Sequence, residues 1–198
     1  LPEYFGEKKT ITQSDLMLAI TPKEEALYKR FGATKTATLP LRSLPRFIGT
    51  YKGVRDHTPL HVFFMGSSYK VEHNAAAARQ IIKEIAPDIK RRAPGEFVFH
   101  ILGGKLPDDL QRCCDGVHVV HEGYVADLES KVQEMDIAIV PSLMGAGMQQ
   151  KVFEPMTRGF PTVTSPRAIA GYPLQAGTEY LAAHTTAVII TAETMPTG

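Results

Sequence analysis

A doubly wound parallel α/β sheet is the fold that this 198-residue chain predicts. Three observations carry it. From residue 61 onward, short β-rich apolar runs alternate with amphipathic stretches, the rhythm of strand–helix–strand crossovers. The runs "HVFFMG", "FVFHILGG" and "IAIVPS" are apolar without alternation, as strands covered on both faces must be. The strand exits are nearly all glycine or serine: "GSS" at 66–68, "GGK" at 103–105, "EGY" at 122–124, "PSL" at 141–143 and "SPR" at 165–167.

The elements follow in order. "DLMLAIT" (Asp15 to Thr21) reads as a strand. "PKEEALYKRFG" reads as a helix, with Pro22 at its start and Gly32 just past its end, the positions those residues favour. "TKTATLPL" is a further short strand, and residues 43–60, with two prolines, two glycines and no period, read as a linker. After the strand at 61–66 a long helix carries Ala78, Ile81, Ile82, Ile85 and Ile89 on one stripe, and Pro87 is expected to kink it or split it. "FVFHILGG", "VHVVHEG", "IAIVPS" and "TVTSP" are strands; "PDDLQRCC", "DLESKVQEM" and "QKVFEPMTRG" are the helices between them. Beyond Gly177, "YLAA" fits one more strand, and "HTTAVIITAETM" fits no element.

Composition bounds the function. Hydrophobic residues make up 43% and charged residues 22% of the chain, an ordinary globular balance. A net charge of +1 gives no sign of a nucleic-acid partner. The densest basic cluster, Lys90, Arg91 and Arg92, ends a helix, where cations are favoured anyway, so a solvated helix end is preferred over a membrane-surface or partner patch. Cys113 and Cys114 are adjacent and poorly placed for a disulfide; they read as reduced thiols of a cytoplasmic protein. No run has the length of a membrane span and no signal peptide is visible. A start at Leu1 and an end on "TMPTG" suggest a piece of a longer protein.

In such a sheet, ligands bind outside the carboxyl ends of the strands. Glycine there leaves backbone N–H groups uncovered, although turn geometry alone also selects Gly and Ser. The chain lacks a phosphate loop ending in Gly-Lys-Ser/Thr, a G-x-G-x-x-G after the strand at 61–66, and a G-x-S-x-G elbow. These absences argue against a nucleoside triphosphatase, a nicotinamide dehydrogenase and a serine hydrolase. The stretch "GAGMQQKVFEP" is the informative one. Its helix has no Ser, Thr, Asn or Asp in the capping place, so its first amides and the positive helix end form an anion site. Gly145 and Gly147 give an anion room, and Lys151 puts a full charge where the helix dipole opposes it. Glu154 shares a face with Lys151, and a carboxylate can accept two hydrogen bonds from a ribose diol. The pair therefore fits a nucleoside diphosphate, and by itself fits a surface ion pair equally well.

The segments "FFMGSSYKVEHN", "FHILGG", "HEGYVADLESKVQEMDIAIVPS" and "GAGMQQKVFEPMTRGFPTVTS" resemble, in order and spacing, the C-terminal half of group 1 glycosyltransferases of the GT-B fold. The resemblance covers roughly residues 61–182, and residues 14–42 look like the end of the N-terminal half. It implies three regions: 1–42, the remnant of an N-terminal Rossmann-like domain; 43–60, an interdomain linker; and 61–198, a nucleotide-sugar-binding domain truncated at its C-terminus. It implies a retaining transfer from a nucleotide-diphosphate sugar, without metal or other cofactor, to a glycan, lipid or small-molecule acceptor. The protein would be cytoplasmic, with at most peripheral contact at the inner membrane face, and this fragment would be inactive alone.

By position, the resemblance makes Lys151 the diphosphate-binding lysine, stabilising the leaving group, and Glu154 the ribose-binding glutamate. It places Gly66 and Ser67 beside the phosphates or sugar, Gly103, Gly104, Tyr124 and Val125 along the base pocket, and Gly145, Ala146 and Gly147 in the loop around the donor. Lys70 stands loosely where a second basic phosphate ligand is found. Many members have a second glutamate where this chain has Ala146, and an arginine where it has Ser67; a subgroup with a Gly-rich loop shares the first departure. Pro155 directly follows Glu154, so the helix is expected to start late or bend there. None of the histidines at 57, 61, 73, 100, 118, 121 and 184 is assigned a catalytic role. Two other readings remain: a non-catalytic nucleotide- or sugar-nucleotide-binding module of the same fold, which the loss at Ala146 keeps open, and an unrelated flavin-binding scaffold.

Overall fold

The computed structural model describes residues 2–39, 44–49, 51, 53, 56–141, 150–170, 172 and 174–182. The chain opens with α1 (Pro2–Gln13), a helix absent from the sequence reading. Strand β1 (Met17–Ala19), helix α2 (Pro22–Arg30) and strand β2 (Thr36–Thr38) form a βαβ unit, with β1 and β2 paired in parallel. Thr21 starts α2 sharply: its hydroxyl accepts from the Glu24 N–H at 3.1 Å, and the Glu24 carboxylate accepts from the Thr21 N–H at 3.1 Å. This reciprocal cap satisfies two backbone donors that the helix cannot.

After a 3₁₀ turn at Leu44–Phe47, a six-stranded sheet begins. Its strands are β3 (Leu60–Gly66), β4 (Phe97–Gly103), β5 (Val119–Gly123), β6 (Ile137–Val140), β7 (Thr162–Thr164) and β8 (Leu181–Ala182). They lie in the order β5-β4-β3-β6-β7-β8, every neighbouring pair parallel. This is a doubly wound sheet whose strand order reverses between β3 and β6, and ligands of such sheets bind at that switch point.

The residues of β3 and β4 alternate between two buried faces. Val62, Phe64, Phe99 and Ile101 join one core with Ala78, Ile81, Ile82, Ile85 and Ile89. Phe63, Leu102 and Ala138 join a second with Val132, Met135 and Phe160. The isoleucine stripe lies on α3 (Glu72–Gln80), a π turn (Ile81–Ile85) and α4 (Ala86–Arg92). Pro87 thus divides the long helix through a π turn, in which the Ala86 N–H reaches back five residues to the Ile81 carbonyl. The wider turn accommodates a residue with no N–H and a bulky ring. The shorter helices are α5 (Asp108–Gln111), α6 (Leu128–Val132), α7 (Gln150–Arg158) and α8 (Pro166–Ile169). Pro155 lies inside α7, so the expectation of a late start at that proline does not hold; the missing amide leaves the Lys151 carbonyl without its usual helical donor.

At the end of α4, Arg91 and Arg92 pair with Asp88 at 2.6 and 3.0 Å, and Lys90 lies 3.6 Å from Asp115. The basic cluster is thus tied into local ion pairs. Among the described residues, no helix is long and apolar enough to cross a membrane.

Candidate functional site

The switch point is framed by the loop after β3, the first turn of α3 and the first turn of α7. Lys151 crosses it. Its ammonium donates to Oδ1 of Asn74 at 3.0 Å, and Nδ2 of Asn74 donates to the Ser68 carbonyl at 3.0 Å. Lys151 is half-buried, and this desolvation lowers its pKa to about 8. Among the described residues, no carboxylate pairs with it. A cation kept partly out of water with only a neutral amide for company retains its full attraction for an anion. His73, next to Asn74, has its pKa lowered, first by burial and second by the charge on Lys151.

One turn along α7, Glu154 is buried. Its Oε1 accepts from Arg158 at 3.1 Å and its Oε2 from Gln150 at 3.4 Å. Arg158 is only 2% exposed; it also donates to Glu129 at 2.7 Å and sits 4.2 Å from the centre of the Phe47 ring. The carboxylate of Glu154 is therefore fixed in direction, and a carboxylate with two such bonds still has lone pairs for further donors.

The strand-end glycines have a cause within the protein. A Cβ on Gly66 would come within 2.7 Å of the Tyr69 ring, and one on Gly103 would collide with the Gly66 carbonyl. Tyr69 is buried, and its hydroxyl donates to the Leu102 carbonyl at 2.7 Å. Gly66 and Gly103 thus let β3 and β4 close on each other under the Tyr69 ring. Gly104 has no such constraint, since a Cβ there would meet only the Ser67 carbonyl at 3.5 Å. His121 of β5 donates through Nε2 to the Gly104 carbonyl at 3.1 Å, tying the β4 and β5 exits together. Ser67 and Lys70 are exposed in the turn before α3. Tyr124 is 86% exposed at the end of β5, while Val125 packs against the second core.

Structure therefore brings Gly66, Ser67 and Lys151 to one edge through Asn74 and Ser68, and puts Gly103, Gly104, Tyr124 and Val125 at the neighbouring strand exits. Gly145, Ala146, Gly147 and the cap of α7 lie outside the described residues, as does His184. Asn74 and Arg158 were missed from sequence. Arg158 had a legible signal, standing four residues after Glu154 on the same helical face; Asn74 had none, its contact with Lys151 spanning 77 positions.

His61 and His100 belong to the sheet. Nδ1 of His61 lies 2.7 Å from Nε2 of His100, and Nδ1 of His100 donates to Glu122 at 2.6 Å. Glu122 also binds Lys131 at 3.1 Å. Burial lowers the pKa of His100 even against the pull of Glu122. Cys113 and Cys114 are free thiols.

A parallel sheet of this order is a Rossmann-like domain, the kind from which GT-B folds are built. Solved structures agree with that fold. A TarM variant from S. aureus, in complex with fondaparinux, α-GlcNAc-glycerol and UDP, aligns with a TM-score of 0.65 at 13% identity over 94% of this chain and 37% of its own. Sucrose-phosphate synthase from Thermosynechococcus elongatus gives 0.64 at 16%, over 97% and 51%. A UDP-forming α,α-trehalose-phosphate synthase from Burkholderia xenovorans gives 0.63 at 12%, over 99% and 57%. The chain thus spans between about a third and somewhat over half of the structures it matches. A search of curated protein sequences finds no match. The family described as glycosyl transferases group 1 matches residues 59–193, and the chain belongs to that family.

Proposed function

We propose that this chain is the donor-binding part of a retaining glycosyltransferase, which moves a sugar from a nucleotide-diphosphate sugar to a glycan, lipid or small-molecule acceptor. The observation that carries the reading is the Lys151 ammonium: half-buried at the switch point, held by Asn74 and without a carboxylate partner among the described residues. In the transfer, the bond from the anomeric carbon to the diphosphate oxygen breaks, the diphosphate departs with the electron pair, a bond to the acceptor oxygen forms, and the acceptor's hydroxyl proton passes to the departing diphosphate. Lys151 neutralises the charge that grows on the diphosphate. Glu154, steadied by Arg158, accepts hydrogen bonds from the ribose hydroxyls, and the exits at Gly66, Ser67, Gly103, Gly104, Tyr124 and Val125 line the remainder of the donor; Gly145, Ala146 and Gly147 are assigned to the donor from the sequence alone. No cofactor takes part in this reading. Lys70 is left out, because no contact among the described residues ties it to Lys151.

Residues 1–42 are read as the end of an N-terminal domain, 43–60 as the linker and 61–198 as the donor domain. The separate β1–β2 sheet supports this division: Leu16, Leu18, Ile20 and Leu39 are exposed around it, as apolar residues of an incompletely covered sheet would be. The reading puts the protein in the cytoplasm, at most touching the inner membrane face.

Titration calorimetry with UDP, GDP and ADP tests the donor site, UDP first because it is named with two of the similar structures. Saturable binding of at least one diphosphate that is weakened tenfold or more by Lys151→Met is expected. Equal affinity in parent and variant would reject the assignment.

A further inference from the structure

We propose that Asn74 is a positioning residue for Lys151: it fixes the ammonium against the loop after β3 through a neutral acceptor, so that the charge is placed but not cancelled. The inference rests on the donor-site reading above and adds a residue that acts on the ligand only through the lysine.

Asn74 is 5% exposed and stands in the first turn of α3. Both ends of its amide are engaged. Nδ2 donates to the Ser68 carbonyl at 3.0 Å, which turns Oδ1 toward α7, where it accepts from Lys151 at 3.0 Å. The backbone N–H of Asn74 is anchored too, on the Val71 carbonyl at 3.0 Å. One side chain therefore joins three elements across the switch point: the β3 loop, α3 and α7. Aspartate has a similar shape but cannot do this. It has no N–H for Ser68, and its charge would neutralise Lys151 and repel a phosphate. Alanine would leave the lysine free to swing into water and pay rotamer entropy on binding.

The charged surroundings are few. On the α3 side, Glu72 and His73 are exposed beside Asn74, with Lys70 just before them; on α7, Glu154 lies one turn on and is held by Arg158. The Lys151 charge lowers the pKa of His73, second to burial.

The test is UDP titration of the chain between about pH 6.5 and 9.5, for the parent, Asn74→Ala, Asn74→Ser, Asn74→Asp and Lys151→Met. Folding of each variant is checked by thermal melting. Parent affinity is expected to fall around pH 8, as Lys151 loses its proton. Asn74→Ala should bind roughly fivefold to tenfold more weakly at pH 7, the value of one lost hydrogen bond, with the midpoint of the pH profile moved upward. Asn74→Ser, which keeps a neutral oxygen and a donor, should recover part of the affinity. Asn74→Asp should move the midpoint furthest and bind worst. A loss in Asn74→Ala with the midpoint unmoved would mark a merely structural role and overturn the proposal, as would Asn74→Asp binding as tightly as the parent. If Asn74→Ala is too unstable to titrate, the Ser and Asp pair gives the same decision. Parent-like binding by Lys151→Met would instead sink the donor site itself.

Discussion

Helix α7 carries a cation near each end, and the two are treated in opposite ways. Arg158, in the last turn where the helix dipole favours it, is buried between Glu154 and Glu129 and rests over Phe47. Lys151, in the first turn where the dipole opposes it, meets an amide oxygen and, among the described residues, no carboxylate. One cation is consumed in holding the helix to its surroundings. The other is costly where it stands, and such an arrangement is retained when something outside the protein meets the charge. The contrast separates a residue that builds the site from one that serves it.

The largest effect expected from breaking this contrast is on stability. Arg158→Met strands the buried Glu154 carboxylate and should cost about 3–5 kcal/mol, read as a lower midpoint in urea unfolding. Lys151→Met should do the reverse: no loss in melting temperature, but a loss of about 1.5–3 kcal/mol in UDP binding, the worth of a charge-assisted contact. A variant of Lys151 that melts well below the parent would erase the distinction. The third effect is a pH dependence of stability. The folded pKa of Lys151, about 8, lies below its ordinary 10.5, so between those values the unfolded chain binds more protons than the folded one. Stability should therefore rise with pH across that window by an increment that Lys151→Met abolishes, while UDP affinity falls as the lysine discharges. Smallest is Glu129→Gln. The Glu129 side chain is half exposed, and its loss should cost about 1 kcal/mol or less in unfolding free energy while leaving UDP affinity unchanged.

Much of the fold was legible because two-sided strands and amphipathic helices leave period and length in the residues. Each strand read from 61 to 166 is present; β4, β5, β6 and β7 are each shortened at one end, β3 gains Leu60, and "YLAA" contains β8. Helix α1 escaped because its sequence, "PEYFGEKKTITQ", shows no apolar stripe. The register shift between Ile101 and Leu102, which lets Glu122 bulge from β5 toward His100, leaves no mark in a one-dimensional pattern. At the site, Lys151 and Glu154 could be placed on one face from helical spacing alone. What occupies that space could not: a strand-end glycine looks the same whether a ligand or Tyr69 lies above it, and the structure assigns Gly66 and Gly103 to Tyr69. Asn74 reaches Lys151 only because β3 and β6 are neighbours, which is a property of the fold and not of any local segment.

The hydrogen bonding between the strands is uneven across the sheet. Seven residue pairs join β3 to β4, whereas Val62–Ile137 and Phe63–Ala138, extended by the Asp136 N–H bond to the His61 carbonyl, join β3 to β6. The sheet is thus zipped on one flank and barely stitched down its midline, with the Asn74–Lys151 clasp above the gap. Under load, or in a slow excursion from the native state, this midline is where the two halves part first, and a molecule bound at its mouth would act as the missing stitches. Amide exchange along β6 should slow on ligation more than along β4.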